Sequence, residues 1–311
     1  MSEYPYETKT EIPKIQFEAF NGANFAYMLW PAVNIGLEDQ ESKLPKGRIV
    51  IVHGFGEYSQ IYYRMMDQLA LNGFETFMFD QRGSGETSPG KLKGITNEYH
   101  TFNDLDYFLR KNIDECKEKG IPIHLWGHSM GGGIILNYAC DGKHKNDVAT
   151  FIASGPLVVL HPHSQPNILT QFAAPLLAKF LPNMRIDTGL DLDGITSDPT
   201  YREFLANDPM SIPLYGSFRQ IQDFLVRGKK LYKNENNRLQ KMDKPLFIQH
   251  GKDDTINDPK GSQKVYDLSA APEKKIEFYN KARHSILSLE TDEIYSNVFD
   301  DLVGWLNEYS E

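Results

Sequence analysis

The sequence predicts an α/β fold with a mainly parallel central sheet. Two observations lead to this prediction. Short apolar runs alternate along the chain with longer stretches in which apolar residues recur at helical spacing. The short runs are almost continuously apolar, which is typical of strands covered by helices on both faces of a parallel sheet. At 311 residues, with 40% hydrophobic and 24% charged content, the chain can bury a large core.

The elements follow in order along the chain. A β-hairpin is predicted over residues 15–30, because this segment alternates and carries Asn21-Gly22 at its centre. A polar, turn-rich loop is predicted over residues 34–46. The predicted buried strands are Arg48–His53, Phe74–Asp80, Ile121–Gly127, Val148–Ser154, Pro245–His250 and Lys275–Tyr279. The predicted helices around them are Tyr62–Asn72, Thr101–Lys119, Met130–Cys140 and Glu293–Glu308.

One stretch, residues 156–241, breaks this alternation. It shows no convincing buried strand, and it contains helical patterns at Gln171–Leu181 and Tyr215–Val226. We therefore predict a core made of residues 1–155 and 242–311, with a helical lid inserted at 156–241. The first pattern carries five large apolar residues: Phe172, Leu176, Leu177, Phe180 and Leu181.

Charge and composition exclude several classes of partner. The net charge of -9 argues against nucleic acid and against simple electrostatic attachment to anionic membranes. Cys116 and Cys140 both lie in predicted helices and are expected to be reduced structural thiols. The N-terminus has no apolar signal region, and no run approaches the ~18 apolar residues that span a bilayer. A cytoplasmic protein that can rest on a membrane surface is the expectation.

The segment Gly127-His128-Ser129-Met130-Gly131 matches G-x-S-x-G. It follows a predicted strand and opens a predicted helix, which is the context that a nucleophile elbow requires. Such a turn strains the serine backbone, and the flanking glycines let strand and helix approach closely. We therefore predict that Ser129 is a nucleophile, against the alternative of a tight structural turn.

A serine hydroxyl needs a base to become nucleophilic, and hydrolases of this kind carry Ser, then an acid, then His along the chain. Only His284 lies beyond the last plausible acid loop. The acid should follow the strand Pro245–His250, so Asp243, which precedes that strand, is at the wrong end. Spacing alone does not choose among the three remaining carboxylates, Asp253, Asp254 and Asp258.

The same chemistry needs backbone donors for an oxyanion. One is the N–H after the nucleophile, which belongs to Met130. The second is predicted from Phe55, because the glycines of His53-Gly54-Phe55-Gly56 allow the loop to turn its amides towards the pocket. His53 itself is predicted to hold this loop by hydrogen bonds. No cofactor or metal is expected, since His161-Pro162-His163 lacks further residues at ligand spacing.

A further turn, Asp80-Gln81-Arg82-Gly83-Ser84-Gly85, follows another predicted strand. It lacks the lysine and the glycine spacing of a phosphate-binding loop. We predict a structural turn in which Asp80 and Arg82 pair.

Four segments together resemble the monoacylglycerol lipases of the α/β-hydrolase superfamily: residues 53–58, 80–85, 127–133 and 251–254. Residues 188–215 and 282–285 are similar to the fungal members in particular. The resemblance covers nearly the whole chain. It implies the hydrolysis of monoacylglycerols to glycerol and fatty acid, and of some short-alcohol fatty acid esters. It also implies a peripheral association with lipid droplets and membranes, including the endoplasmic reticulum. With such a substrate, we predict that the five apolar residues of the first lid pattern line an acyl passage and rest on a lipid surface. The alternative is that they only pack on the core.

The resemblance also carries residue roles. In this family the catalytic acid stands third after the glycine that ends the strand, which is Asp254 here. Glu57 is retained as a candidate contact for the glycerol end. Animal relatives have a glycerol-binding arginine where Ile61 stands here, with Arg64 three residues on. They also have a cysteine where this chain has Asn257. The alternatives are a lysophospholipase, a general carboxylesterase and a non-catalytic lipid-binding protein.

Overall fold

The computed structural model describes residues 4–33 and 44–310, so most of the predicted loop 34–46 lies outside the described residues. The predicted hairpin is present as β1 (Gln16–Phe20) and β2 (Ala23–Trp30). Its two turn residues, Asn21 and Gly22, both have positive φ. Asparagine and glycine are the residues that tolerate this conformation in a two-residue hairpin turn.

The main sheet continues through the predicted strands. They are β3 (Arg48–Val52), β4 (Glu75–Phe79), β5 (Ile123–His128), β6 (Thr150–Ser154), β9 (Leu246–Gly251) and β10 (Lys274–Tyr279). The strand order is β1-β2-β4-β3-β5-β6-β9-β10, and all pairs from β4 to β10 are parallel. The predicted mainly parallel sheet is confirmed.

Helices cover both faces of this sheet. They are α1 (Tyr63–Leu71), α2 (Glu98–Lys119), α3 (Met130–Asp141), α8 (Pro259–Leu268) and α9 (Asp292–Glu308). Apolar residues of α2, α3 and α8 form a core on one face, and those of α1 and α9 form a second core on the other. The sequence analysis did not predict α8. Within the described ranges, no helix is both long and apolar enough to cross a membrane.

The segment between β6 and β9 adds no strand to the main sheet in the described residues. It contains α4 (Ile168–Phe180), α5 (Leu192–Ile195), α6 (Pro199–Asn207) and α7 (Phe218–Tyr232), with a small antiparallel pair, β7 (Arg185–Asp187) and β8 (Tyr215–Ser217).

Both helices predicted in this segment are present with different bounds. The first is α4, which begins three residues before the predicted Gln171. The second is α7, which was expected at Tyr215–Val226 but begins at Phe218 and ends at Tyr232. The three residues before it pair with β7. The Ser217 hydroxyl then accepts a hydrogen bond from the Gln220 N–H at 3.2 Å and caps α7.

Candidate active site

The predicted elbow lies where β5 ends and α3 begins. Ser129 has φ 54° and ψ -118°, a strained conformation for a residue with a side chain. A Cβ on Gly131 would come within 2.0 Å of the Val52 carbonyl oxygen, and one on Gly127 within 2.5 Å of the Gly131 carbonyl oxygen. Only glycine permits this approach, so the local sequence accounts for the elbow.

The backbone of Ser129 is held from both sides. Its N–H donates to the Ser154 carbonyl at 2.9 Å, and its carbonyl accepts from the Leu157 N–H at 2.8 Å. Because Ser154 ends the neighbouring strand β6, the elbow is fixed to the carboxyl edge of the parallel sheet. Ligands of open α/β sheets bind at this edge.

Asp254 and His284 meet at the same edge. His284 Nδ1 lies 2.7 Å from Asp254 Oδ2, and both side chains are buried. The other oxygen, Asp254 Oδ1, accepts the backbone N–H groups of Ile256 at 2.8 Å and Asn257 at 2.9 Å. The carboxylate is thus fixed in place and aimed at the imidazole. His128, the neighbour of Ser129, has its ring centroid 4.7 Å from that of His284, which brings the base beside the elbow.

The competing carboxylates occupy other places. Asp253 is exposed to solvent, one residue before the buried Asp254. Asp258 accepts from the Lys260 N–H and caps α8. Asp243 forms an ion pair with Lys145 at 3.1 Å. Of the three carboxylates that follow the strand, Asp254 is the one whose side chain forms a hydrogen bond with His284.

The electrostatics of the pair favour a charged carboxylate beside a basic imidazole. Burial opposes ionisation of Asp254, but His284 and His250 outweigh it and hold the pKa of this carboxyl well below its usual range. Burial likewise opposes a charged imidazole, but Asp254, and to a smaller extent Glu57, raise the pKa of His284 above its usual value. Asp254 therefore stabilises the protonated form of His284.

The loop that is predicted to supply the second oxyanion donor lies against Ser129. A Cβ on Gly54 would stand 3.1 Å from the Ser129 Cβ, so the backbone just before Phe55 touches the serine. The Phe55 ring packs on Phe224 of α7, with ring centroids 5.3 Å apart. Met130 opens α3, so its N–H has no partner within the helix.

His53 holds this loop, as predicted. Its Nδ1 lies 2.8 Å from the Gly54 carbonyl oxygen, and its Nε2 accepts the Gln81 N–H at 2.8 Å. Asp80 accepts the N–H groups of Ser59 and Glu86, each at 2.9 Å, and so ties the loop after β4 to the loop after β3.

The predicted pairing of Asp80 with Arg82 was wrong. Arg82 instead makes a two-pronged pair with Asp104 of α2, at 2.9 and 3.0 Å. The carboxylate of Asp80 is already occupied by backbone donors. Asp80 therefore stabilises the turn, and Arg82 pairs with Asp104 on α2 instead.

Glu57 lies within the site. Its Oε2 accepts the Gly54 N–H at 2.6 Å and the Tyr62 hydroxyl, and its Oε1 lies 3.6 Å from His128 Nε2. Arg64 does not reach this place. Its guanidinium binds Asp292 at 2.6 Å and lies over the Tyr295 ring. Arg64 therefore does not stand in for the arginine of animal relatives.

The apolar residues predicted on the lid have different surroundings. Phe172, Leu176 and Phe180 of α4 are 76%, 60% and 70% exposed, so packing on the core alone does not account for them. Leu181, just after the helix, is also exposed. Leu177 is partly buried, one residue before the buried Ala178.

The loop that carries His284 is bound to the segment between β6 and β9. The His284 N–H donates to the Gly194 carbonyl at 3.2 Å, and the Ser285 N–H donates to the Ile195 carbonyl at 3.0 Å. The buried Glu290 carboxylate accepts both the Arg283 N–H and the Ser197 hydroxyl. The position of the imidazole thus depends on contacts with α5.

Comparisons with known proteins identify the family. Residues 43–292 match the family model described as serine aminopeptidase, S33. The monoglyceride lipase of Saccharomyces cerevisiae is 59% identical over 313 aligned residues, which cover 100% of this chain and 98% of that protein. The chain belongs to the monoglyceride lipase family. Human monoglyceride lipase is 25% identical, with 85% of this chain and 83% of that protein covered.

Solved structures show the same fold. A soluble variant of the Saccharomyces cerevisiae monoglyceride lipase, solved with a substrate analogue, superposes with a TM-score of 0.94 at 58% identity and 99% coverage of both chains. A monoacylglycerol lipase from Paleococcus ferrophilus gives a TM-score of 0.76 at 23% identity, covering 92% of this chain and 99% of that one. The family and the α/β-hydrolase fold predicted from the sequence are confirmed.

Two further residues belong to the site, although the sequence did not predict a role for them there. His250, near the end of β9, has its Nε2 3.0 Å from Asp254 Oδ2. Asn257 donates its side-chain amide to the Gly155 carbonyl at 2.8 Å, which binds the acid loop to the end of β6. A signal for His250 was present, because a histidine in a buried strand needs a polar partner and the acid loop follows directly.

Proposed function

We propose that this protein is a serine hydrolase that cleaves monoacylglycerols to glycerol and a free fatty acid through an acyl-enzyme. One observation carries the proposal: a buried Asp254–His284 pair stands beside the strained elbow of Ser129. It is supported by 59% identity along the whole chain to a protein named monoglyceride lipase. Short-alcohol fatty acid esters are included as further substrates.

In the first half-reaction, His284 removes the proton from Ser129 Oγ while this oxygen attacks the ester carbonyl carbon. The N–H groups of Phe55 and Met130 hold the negative charge that develops on the carbonyl oxygen. When the tetrahedral intermediate collapses, His284 gives its proton to the departing glycerol oxygen. Asp254 keeps the imidazole oriented and stabilises its protonated form.

In the second half-reaction, His284 removes a proton from a water molecule that attacks the acyl-enzyme carbonyl. The same two N–H groups hold the second oxyanion. The bond to Ser129 Oγ then breaks, His284 returns the proton to that oxygen, and the fatty acid leaves. No cofactor or metal takes part in the cycle.

The glycerol end is assigned to Glu57, with His128 beside it. His128 Nδ1 donates to the Ser154 carbonyl at 3.1 Å, so its Nε2 is an acceptor, and within the described residues that buried atom has no hydrogen-bond partner. Burial lowers the pKa of His128 to about 4, which keeps the ring neutral at pH 7. The two neighbouring acceptors, Glu57 Oε1 and His128 Nε2, suit the two free hydroxyls of the glycerol end, each of which donates one hydrogen bond.

The acyl end is assigned to residues 156–241, proposed as a lid. Leu177 lies on the partly buried side of α4 and is proposed to line the acyl passage with the less enclosed Phe172, Leu176 and Phe180. The exposed face of α4 is proposed to rest on lipid droplets and on membranes such as the endoplasmic reticulum. Apolar area, rather than charge, would then drive the attachment, which suits a chain with a net charge of -9.

Substrate profiling tests the proposed function. Purified protein would be given monoacylglycerol, diacylglycerol, triacylglycerol, lysophosphatidylcholine and a p-nitrophenyl ester, with Ser129→Ala as the control. We expect the highest kcat/KM for monoacylglycerol, because the Glu57 carboxylate repels a phosphate at the alcohol end. Equal or faster cleavage of the lysophospholipid would support the lysophospholipase alternative. A Ser129→Ala protein that keeps wild-type activity would contradict the mechanism.

A further inference from the structure

A second histidine binds the acid of the proposed triad. His250 is completely buried, and its Nε2 lies 3.0 Å from Asp254 Oδ2. His284 Nδ1 reaches the same oxygen at 2.7 Å. The Asn257 carbonyl oxygen is the other polar group near His250 Nε2, at 3.3 Å. Asp254 Oδ2 therefore lies between two imidazoles.

The partners of His250 define which nitrogen carries its hydrogen. An ionised carboxylate and a carbonyl oxygen can only accept, so Nε2 must be the donor. His250 Nδ1 lies 2.7 Å from the hydroxyl oxygen of Ser262 on α8, which is also completely buried. In a neutral ring this nitrogen accepts, so the Ser262 hydroxyl donates to it. The hydrogen bonds then run in one direction, from Ser262 to His250 to Asp254.

We propose that His250 is a positioning residue for hydrolysis, which holds Asp254 Oδ2 in line with His284 while Ser262 fixes the tautomer of His250. This inference rests on the proposed function, in which Asp254 and His284 act on Ser129. Asp254 Oδ1 already accepts two backbone N–H groups. His250 supplies the fourth hydrogen bond of the carboxylate, and without it a buried acceptor position stays unfilled.

The electrostatic consequence falls on His284. Three ionisable groups face its ring: Asp254, Glu57 and His128. The N–H of His250 withdraws charge from Asp254 Oδ2. Loss of that N–H leaves more charge on the oxygen, so the protonated form of His284 is favoured further and the base is freed only at higher pH. Glu57 and His128 do not contact His250 in the described residues, so their influence on His284 is unchanged by a substitution at position 250.

A matched pair of variants tests this role. His250→Gln keeps a donor near the place of the imidazole Nε2, whereas His250→Leu removes it. For a soluble p-nitrophenyl ester we expect kcat to fall roughly 10- to 100-fold in His250→Leu with KM nearly unchanged, because Asp254 Oδ2 loses a buried donor and no longer stays in line with His284. The acidic limb of kcat/KM should move to higher pH in this variant. His250→Gln should restore both the rate and the pH profile.

Two results would overturn the role of His250. One is a His250→Leu enzyme whose rate and pH profile match those of the wild type. The other is a His250→Gln enzyme as slow and as shifted as His250→Leu. The rate at which a fluorophosphonate labels Ser129 at each pH gives the same comparison without the lipid substrate. A wild type that is labelled on Ser129 but does not cleave monoacylglycerol would refute the proposed substrate, and labelling would still decide the role of His250.

Two further measurements do not depend on the folding of His250→Leu. Nitrogen-15 NMR of the wild-type histidine side chains at neutral pH should show the hydrogen of His250 on Nε2, and a hydrogen on Nδ1 alone would contradict the proposal. Ser262→Ala removes the donor to Nδ1 with a small change in volume. It should lower kcat in the same direction as His250→Leu but less strongly, and an unchanged kcat would refute the part assigned to Ser262.

Discussion

The acid loop after β9 and the helix α4 are constructed in opposite ways. In the acid loop, the two oxygens of the buried Asp254 accept hydrogen bonds from two backbone N–H groups and two buried histidines. On α4, large apolar side chains such as Phe172 and Phe180 are mostly exposed. In the acid loop, all the hydrogen bonds to the Asp254 carboxylate come from groups of the protein itself. The helix α4 leaves apolar surface in water until another apolar surface covers it.

This difference separates two tasks. A catalytic group has to be aligned before the substrate arrives, so its partners must be internal and rigid. A helix that meets a lipid surface gains affinity only from apolar area that remains uncovered in the free protein. Substitutions in the two regions should therefore affect different measurements: turnover for the acid loop and lipid binding for α4.

Ser129→Ala has the largest expected effect. Removing the nucleophile should lower kcat on monoacylglycerol by about 10⁶-fold, the scale seen when a serine nucleophile is lost. Binding to phosphatidylcholine vesicles should stay at the wild-type level, because α4 is untouched. Turnover assays and vesicle flotation on the same preparation measure both, and retained turnover would refute the assignment.

Asp254→Asn follows, with Asp253→Asn as its matched control. We expect kcat to fall by about 10⁴-fold in Asp254→Asn, because the imidazole loses its orienting charge. Asp253 is exposed and should tolerate the change. Steady-state kinetics of both variants decide between neighbouring carboxylates. The reverse order of effects would move the acid by one residue.

Phe172→Ser combined with Phe180→Ser tests the other region. We expect vesicle binding to weaken by at least about tenfold, because two mostly exposed aromatic rings no longer enter the lipid. Hydrolysis of a short-chain, water-soluble ester should change little, because its acyl group is too short to depend on the passage that these residues are proposed to line. Ile15→Ser with Phe17→Ser is the control, since these exposed apolar residues lie at β1, far along the chain from α4. Equal flotation of both double variants would contradict surface docking by α4.

The smallest expected effect is a shift in the pH dependence of kcat/KM of the wild type. In the proposed mechanism hydrolysis needs neutral His284, and the Asp254 carboxylate raises the pKa of this histidine above its usual value. Activity should therefore be lost as the pH falls, with a midpoint for kcat/KM above the ~6.5 of a free histidine. A midpoint well below that value would show that Asp254 does not stabilise the protonated ring.

Much of the fold was predictable because the main strands and helices have strong local signals. The buried runs gave the strands of the parallel sheet, and Asn21-Gly22 gave the hairpin turn. The helix α8 was missed although Asp258-Pro259 is a common helix start, with the aspartate as cap and the proline in the first turn. The start of α7 was misplaced because the pairing of β8 with β7 is a contact between distant residues.

In the site too, some residues could be predicted from local sequence and others could not. Ser129 and Met130 could be predicted because strand, elbow and helix are contiguous in sequence. The choice of Asp254 over its neighbours came from family resemblance, since side-chain direction within a loop is set by contacts that spacing does not show. Two contacts join residues that are distant in sequence, so no local pattern predicts them. Arg82 pairs with Asp104, 22 residues away, and the His284 N–H donates to the Gly194 carbonyl.

The most direct test of the account is to identify the residue that becomes acylated. Wild-type protein would be quenched during turnover of a monoacylglycerol, or treated with a fluorophosphonate, digested and mapped by mass spectrometry, with His284→Ala in parallel. We predict one adduct, on Ser129, which His284→Ala forms far more slowly. Turnover of monoacylglycerol by a wild type that shows no adduct on Ser129 would contradict the account.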